Sequence, residues 1–257
     1  MEKKRRLNKK KLIVFILMIF FCGLFIFSTV KIIGALLDNR ENKTIKDIID
    51  KSITINEDSS IKEADKYKVD FTTLKEKNSD TIAYLKVNNT NIDYVVVKGD
   101  DNSFYLDHNF NKKKNVAGWI FADYRNKLDG TDKNIVIYGH NTQNGSMFGT
   151  LKKAMDKGWQ QNKDNQRIIL ITEEGTFFYQ IFSTYRIEAE DYYIKTSFAS
   201  DDEYQQFLDK IYYRSNYDYG VKVDKTETIL TLSSCVTGGK KRVVVHAKKI
   251  IDEELNR

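Results

Sequence analysis

Three side chains in this sequence are of the types that acyl transfer would use. Cys235 ends the run Thr231-Leu232-Ser233-Ser234-Cys235, His140 sits in Tyr138-Gly139-His140-Asn141, and Arg242 follows Lys240-Lys241. A thiol attacks as the thiolate, and a nearby imidazole or guanidinium lowers its pKa. A Cys–His pair is the minimal apparatus for covalent acyl transfer. Attack on an amide carbonyl creates an oxyanion, which a placed Arg stabilises. Each residue also has an ordinary structural reading. A lone Cys is often a small buried hydrophobe, a His beside Gly a turn residue, and an Arg after two lysines a solvated charge. Residue type alone leaves both readings open, because spacing does not bring distant side chains together.

Two further histidines compete with His140. His246 lies in an alternating apolar stretch, where a satisfied structural imidazole is expected. His108 lies in a polar loop and reads as structural or close to a cleft. Asp123 and Arg125, two residues apart, are expected to form a structural ion pair.

The elements that would carry these groups are mostly strands. Period-two patterns with β-branched and aromatic residues run over 81–87, 92–97, 116–122, 134–138, 167–172, 176–188, 228–234 and 242–250. Asn88 to Asn91 and Glu173-Glu174-Gly175 punctuate them as turns. Helical spacing places Met147, Phe148, Leu151, Ala154 and Met155 on one face over 146–157. It does the same for Phe207, Leu208, Ile211 and Tyr212 over 203–213, after Ser200-Asp201-Asp202 as a cap. Short strands without regular helix alternation argue for a mainly β, closed or nearly closed barrel rather than a doubly wound sheet.

The N-terminal part is built differently. Leu12 to Val30 contains no charge in nineteen residues, and Ile32 to Leu37 extends the apolar run. Spanning a hydrocarbon core takes about 20 apolar residues, so 12–37 is expected to be a single-pass signal anchor. A cleaved signal peptide is the alternative, but no small-x-small site follows the run. The net charge of +6 is concentrated before it: Lys3, Lys4, Arg5, Arg6, Lys9, Lys10 and Lys11 stand against Glu2. That pattern predicts a cytoplasmic tail over 1–11 and an extracellular C-terminal part. A nucleic-acid partner would want the basic patch on the folded domain instead. Residues 38–68 read as a stalk with a short helix through Ile45, Ile48, Ile49 and Ile53, and 69–257 as the folded domain. The two cysteines, Cys22 and Cys235, fall on opposite sides of this division, so no disulfide framework is expected.

Thr231 to Cys235, followed by Arg242-Val243-Val244-Val245-His246-Ala247, resembles the T-L-S-T-C and R-x-V-V-H-A segments of class B sortases. Asp101 to Phe110 is similar to that family's D-N-x-x-Y-L-x-H-N-F stretch, and Gly118 to Asn126 to its G-x-I-F-x-D-x-R-N segment. Tyr138 to Asn141 and Met147-Phe148-Gly149-x-Leu151 follow in the family's order, so the resemblance runs from about 69 to 250. It implies an eight-stranded sortase barrel with an N-terminal helical extension and a helix before the Cys strand. It implies a transpeptidase that cuts a sorting signal, NPQTN-like or N/S-P-x-T-N/G, after Thr. Cys235 would be the nucleophile, His140 the acid and base, and Arg242 the holder of the carbonyl or oxyanion, with Asn109, Tyr138 and Ser233 lining the substrate site. The implied partners are surface proteins bearing the signal, often in haem or iron uptake, and a peptidoglycan precursor amine. No cofactor or metal is implied, and a monomer is expected.

Three positions depart from the pattern. Ser234 replaces the usual Thr before the Cys, Val95 stands where Pro is frequent, and Arg242 follows Cys235 by only seven residues. An L,D-transpeptidase would carry S-x-G-C-x-R, which Ser233-Ser234-Cys235-Val236-Thr237 lacks. A papain-like hydrolase would place Cys before His in the chain. A tethered β-barrel binding module with an inert, alkylation-resistant Cys is the non-enzymatic alternative.

Overall fold

The computed structural model describes residues 9–56, 58, 60–188, 190–235 and 241–251. The basic residues Lys3 to Arg6, and Val236 to Lys240 between Cys235 and Arg242, lie outside them. Two compact units divide between Glu41 and Asn42.

Helix α1 runs Lys9–Ile49 and contributes to both units. In the first unit its apolar side chains from Leu12 to Leu37 are nearly all solvent-exposed, and the helix is long and apolar enough to cross a membrane. In the second unit Asn42, Ile45 and Ile49 of the same helix are buried. Ile45 and Ile49 stand one turn apart on one face. Asn42 Nδ2 donates to Asn115 Oδ1 at 3.1 Å and to the Gly118 carbonyl at 3.2 Å. Ile45, Ile48 and Ile49 therefore belong to the end of one long helix, whereas Ile53, expected to continue their spacing, opens a strand paired with Val69.

The second unit opens with a ribbon, β1 (Ile53–Ile55) against β2 (Tyr67–Val69), which the sequence did not suggest. Helix α2 (Phe71–Lys77) follows, capped by Asp70, whose side chain accepts from Thr73 N. The barrel comprises β3 (Thr81–Val87), β4 (Asp93–Val97), β5 (Phe121–Ala122), β6 (Asn134–His140), then, after helix α3 (Lys157–Gln161), β7 (Arg167–Thr172) and β8 (Gly175–Glu188), and, after helix α4 (Asp201–Tyr213), β9 (Ile229–Cys235) and β10 (Lys241–Ile250). These eight strands close in the order β10-β8-β7-β3-β4-β5-β6-β9. Closure gives every barrel strand a neighbour on both sides. Most pairs are antiparallel, but β6 and β9 run parallel over seven residue pairs, Asn134↔Ile229 to His140↔Cys235.

Alternation along β9 serves two cores. Leu230 and Leu232 belong to the barrel interior, while Ile229 joins a second cluster with Phe182, Tyr185, Val244 and the α4 residues Phe207, Leu208 and Ile211. Both faces are thus buried, as expected of a central parallel strand. Leu208 and Ile211 are fully buried, each stabilising the packing by about 1.5–3 kcal/mol. Ser200 caps α4 by accepting from Glu203 N at 3.2 Å, and the Glu203 carboxylate reaches back to Ala199 N at 2.6 Å.

Two expected elements are corrected. The strand expected over 116–122 shrinks to Phe121–Ala122. Gly118 adopts φ +56°, and a Cβ there would lie 2.4 Å from the Tyr105 carbonyl oxygen, so the pleat breaks at that glycine. The helix expected over 146–157 is not an α-helix: Leu151–Met155 forms a 3-10 turn, and Lys157–Gln161 a separate short helix. Met147 has φ +49°, its N–H bonds Tyr94 Oη at 3.0 Å, and Phe148 N–H bonds the His140 carbonyl at 2.9 Å. Tertiary acceptors have replaced the helical ladder, while Met147, Phe148, Leu151 and Ala154 remain buried as the spacing required.

Candidate active site

The C-terminal ends of β6 and β9 and the start of β10 meet at one end of the barrel. Parallel pairing makes the β6 and β9 backbones leave the sheet at the same edge. In that register Tyr138 faces Ser233 and His140 faces Cys235, so the backbones of the two candidate acyl-transfer residues are direct neighbours. On β10, Val244 pairs with Ser233, and Arg242 lies two residues before it, opposite Ile187 of β8.

His140 is oriented from the loop above. Its Nε2 lies 2.6 Å from the Leu106 carbonyl oxygen. A carbonyl only accepts, so Nε2 carries the proton in this arrangement. The turn Phe104–Leu106 that presents this carbonyl is held by Asp101, whose Oδ1 accepts from Ser103 N and Phe104 N at 2.7 and 2.8 Å. Below the imidazole, Gly139 allows close packing: a Cβ would lie 2.4 Å from Ile120 Cδ1 and 2.7 Å from Phe148 Cγ.

A cleft of about 430 Å³ opens here, lined by Asn102, Leu106, Tyr138, Tyr193, Ile194 and Arg242 among others. Glu190 and Asp191 add two carboxylates to a lining that also carries the Arg242 cation. Tyr138 is buried, and its hydroxyl donates to Asp123 Oδ2 at 2.8 Å. Burial, and then the Asp123 anion, push its phenol pKa far upward, so it remains a neutral donor. Burial pushes the Asp123 carboxyl up, but hydrogen bonds from Arg125 and Tyr138 outweigh this and leave it below the usual carboxylate range. The expected Asp123–Arg125 ion pair is present, Nη2 to Oδ2 at 2.7 Å.

The remaining candidates have separate surroundings. Ser233 is buried, its Oγ 3.0 Å from Tyr193 Oη. Ser234, in place of the family's Thr, accepts from Val243 N at 2.9 Å and so ties β9 to the start of β10. Asn109 is buried in a turn, its Oδ1 accepting from Asn111 N and Lys113 N at 3.0 and 3.1 Å. It is not part of the cleft lining among the described residues. His108 stacks on Phe104 with ring centroids 4.1 Å apart, and its Nδ1 lies 2.8 Å from the Phe104 carbonyl. His246 is fully buried between Tyr185 Oη and Thr231 Oγ1, each 2.8 Å away, and burial lowers its pKa to about 3. It is the structural imidazole its apolar strand suggested.

Asn102, Leu106, Tyr193 and Ile194 were not legible as site residues. Leu106 reaches His140 through its main chain, which no side-chain pattern reveals. Tyr193 and Ile194 lie in an irregular segment whose only sequence mark is the Tyr192-Tyr193 pair. A second cavity, about 360 Å³, is lined by Ile135, Leu170, Phe177 and Lys249. It sits near the start of β6 and the end of β10, away from His140 and Arg242. Among the described residues no three His, Cys, Asp or Glu side chains cluster as a metal ion would need.

Known proteins share this architecture. A family model for the sortase domain matches residues 85–250. The sortase B of Listeria monocytogenes is 33% identical over 240 residues, covering 89% of this chain and 93% of that protein. The crystal structure of sortase B from Bacillus anthracis in complex with AAEK1 superposes with a TM-score of 0.73 at 31% identity, over 84% of this chain and 99% of that one. The X-ray structure of Clostridium perfringens sortase B superposes with a TM-score of 0.66 at 38% identity, over 70% of this chain and 100% of that one.

Proposed function

From the premise that this chain belongs to the class B sortases, and is therefore a cysteine transpeptidase, we propose that Cys235, His140 and Arg242 carry its reaction. The observation that supports this most directly is the parallel register pairing His140 with Cys235, beside a cleft lined by Arg242.

In this reading the Cys235 thiolate attacks the Thr carbonyl carbon of a sorting signal. The resulting oxyanion is held by the Arg242 guanidinium. The C–N bond to the residue after Thr then breaks, and His140 gives its proton to the departing amine. The enzyme is left as a thioester. A primary amine on a peptidoglycan precursor attacks this thioester, His140 takes the proton, and the thiolate leaves. The Leu106 carbonyl, by bonding Nε2–H, orients the imidazole so that proton exchange with the thiol runs through Nδ1. Tyr138, which lines the cleft, and Ser233, its register partner, would border the bound peptide, whereas Asn109, buried in its own turn, would support the substrate site from outside that lining.

The signal proposed is NPQTN-like or N/S-P-x-T-N/G, on surface proteins that include haem and iron uptake components. Residues 12–37 would anchor a monomeric enzyme in the membrane with the tail 1–11 inside. Residues 38–68 then lead into a catalytic domain, 69–257, outside. The basic cluster before the apolar run supports that orientation.

The test is cleavage of quenched fluorescent peptides (NPQTN, SPKTG and LPxTG types, with scrambled controls) by the full-length protein in detergent, with Cys235→Ala alongside. Cleavage of an NPQTN- or SPKTG-type peptide by the wild type, lost in Cys235→Ala, is expected. Equal cleavage by both proteins would refute the assignment.

A further inference from the structure

The ion pair of Asp123 and Arg125 is more than a structural fastening. We propose that these two are positioning residues that hold separate segments of the substrate-cleft lining in register, with Arg125 setting the segment at Ile194. The proposal rests on the reading that the cleft takes the sorting peptide.

The Asp123 carboxylate is completely buried, a placement that strongly destabilises an unpaired charge. Five hydrogen bonds satisfy it. Oδ1 accepts from Arg125 N at 3.0 Å and Arg125 Nε at 2.8 Å. Oδ2 accepts from Arg125 Nη2 at 2.7 Å, Tyr138 Oη at 2.8 Å and Asn102 Nδ2 at 2.9 Å. A sixth bond leaves the cluster: Arg125 Nη2 also donates to the Ile194 carbonyl at 2.9 Å. Three cleft-lining residues on three separate segments, Asn102, Tyr138 and Ile194, therefore take their positions from one carboxylate and one guanidinium.

The wall at Ile194 depends on such bonds. Tyr192–Ile194 is a 3-10 turn outside the sheet, with no ladder to fix its carbonyls. Asn134 Nδ2 donates to the Lys195 carbonyl at 2.9 Å, and lies 3.5 Å from that of Tyr193. Arg125 supplies the donor for the carbonyl between them. Its planar fork addresses the carboxylate through two nitrogens while one of these reaches Ile194, a geometry that fixes distance and plane together. A lysine ammonium has three protons but a single nitrogen on an unforked stem, so it cannot keep the Nε contact and the Nη2 contacts together or fix their common plane.

The experiment compares the full-length wild type with Arg125→Lys and Asp123→Asn. It reads kcat and KM for the cleaved peptide, the melting temperature, and the pH profile of Cys235 alkylation by iodoacetamide. In Arg125→Lys, KM should rise about tenfold or more, with kcat within about threefold. Melting should fall by only a few degrees and the alkylation profile should not move. Asp123→Asn should raise KM further at a larger loss of stability. An unchanged KM in a folded Arg125→Lys, or activity falling only in step with the folded fraction, would overturn the positioning role alone. A wild type that cleaves no sorting peptide would overturn the functional reading and this proposal together.

Discussion

Surroundings separate a cation that lines a cleft from an imidazole sealed in the core. Arg242 faces a cleft, and its proposed task needs a fork of donors, so Arg242→Lys should lower kcat/KM by about tenfold or more; steady-state kinetics near wild type would remove Arg242 from the mechanism. His246 is the inert counterpart. Its pKa falls from 6.5 to about 3 because burial disfavours the imidazolium. Above pH 6.5 folded and unfolded chains both hold it neutral, and no proton is linked to folding. As pH drops from 6.5 toward 3, the unfolded chain takes up a proton that the native state refuses, so stability declines by at most ~1.4 kcal/mol per pH unit. Chemical denaturation across that range should show a shallower acid slope in His246→Gln than in wild type; identical slopes would contradict the assignment. At this scale the types of Cys235, His140 and Arg242 were readable, and so were the structural fates of His246 and the Asp123–Arg125 pair. The Leu106 carbonyl and the Ile194 wall were not, because main-chain groups leave no mark on residue type.

At the scale of elements, β6 shows how packing and chemistry share a strand. His140 can sit where it does because Gly139 lets Ile120 and Phe148 close over the backbone. Gly139→Ala overpacks that contact, which should cost about 1–3 kcal/mol and displace His140. Both the melting temperature and kcat should fall, and a variant unchanged in both would show that the contact yields freely. The long strands were legible from period-two patterning: β3, β7, β8 and β10 agree with expectation to within a residue at each end. Expectation failed where tertiary bonds overrode local spacing. Met147 and Phe148 spend their N–H groups on Tyr94 and His140, which breaks the expected helix. Gly118 turns left-handed under the Tyr105 carbonyl, which cuts the expected strand short. The β1–β2 ribbon has three residues per strand, too few for alternation to register against a charged background.

For the whole molecule, the two units pose opposite solvent problems. The first exposes a continuous apolar surface from Leu12 to Leu37, which water disfavours and a bilayer satisfies. The full-length protein should partition into the detergent phase in a Triton X-114 separation; recovery in the aqueous phase would contradict the anchor. The second unit is closed on itself, and its closure has a consequence in time. Thr231 and Asn134, joined across the β6–β9 seam at 2.7 Å, lie 97 residues apart in sequence. The β3–β4 and β7–β8 hairpins, by contrast, pair neighbours along the chain. Pairings that close long loops form late, after local ones have reduced the entropy still to be lost. The ribosome also makes β9 long after β6. A nascent or half-folded chain would therefore carry Cys235 and His140 well apart, and on the proposed mechanism cleavage would await the pairing of β6 with β9. On the proposed mechanism the parallel seam would act as a delay, keeping Cys235 away from His140 until β6 and β9 have paired.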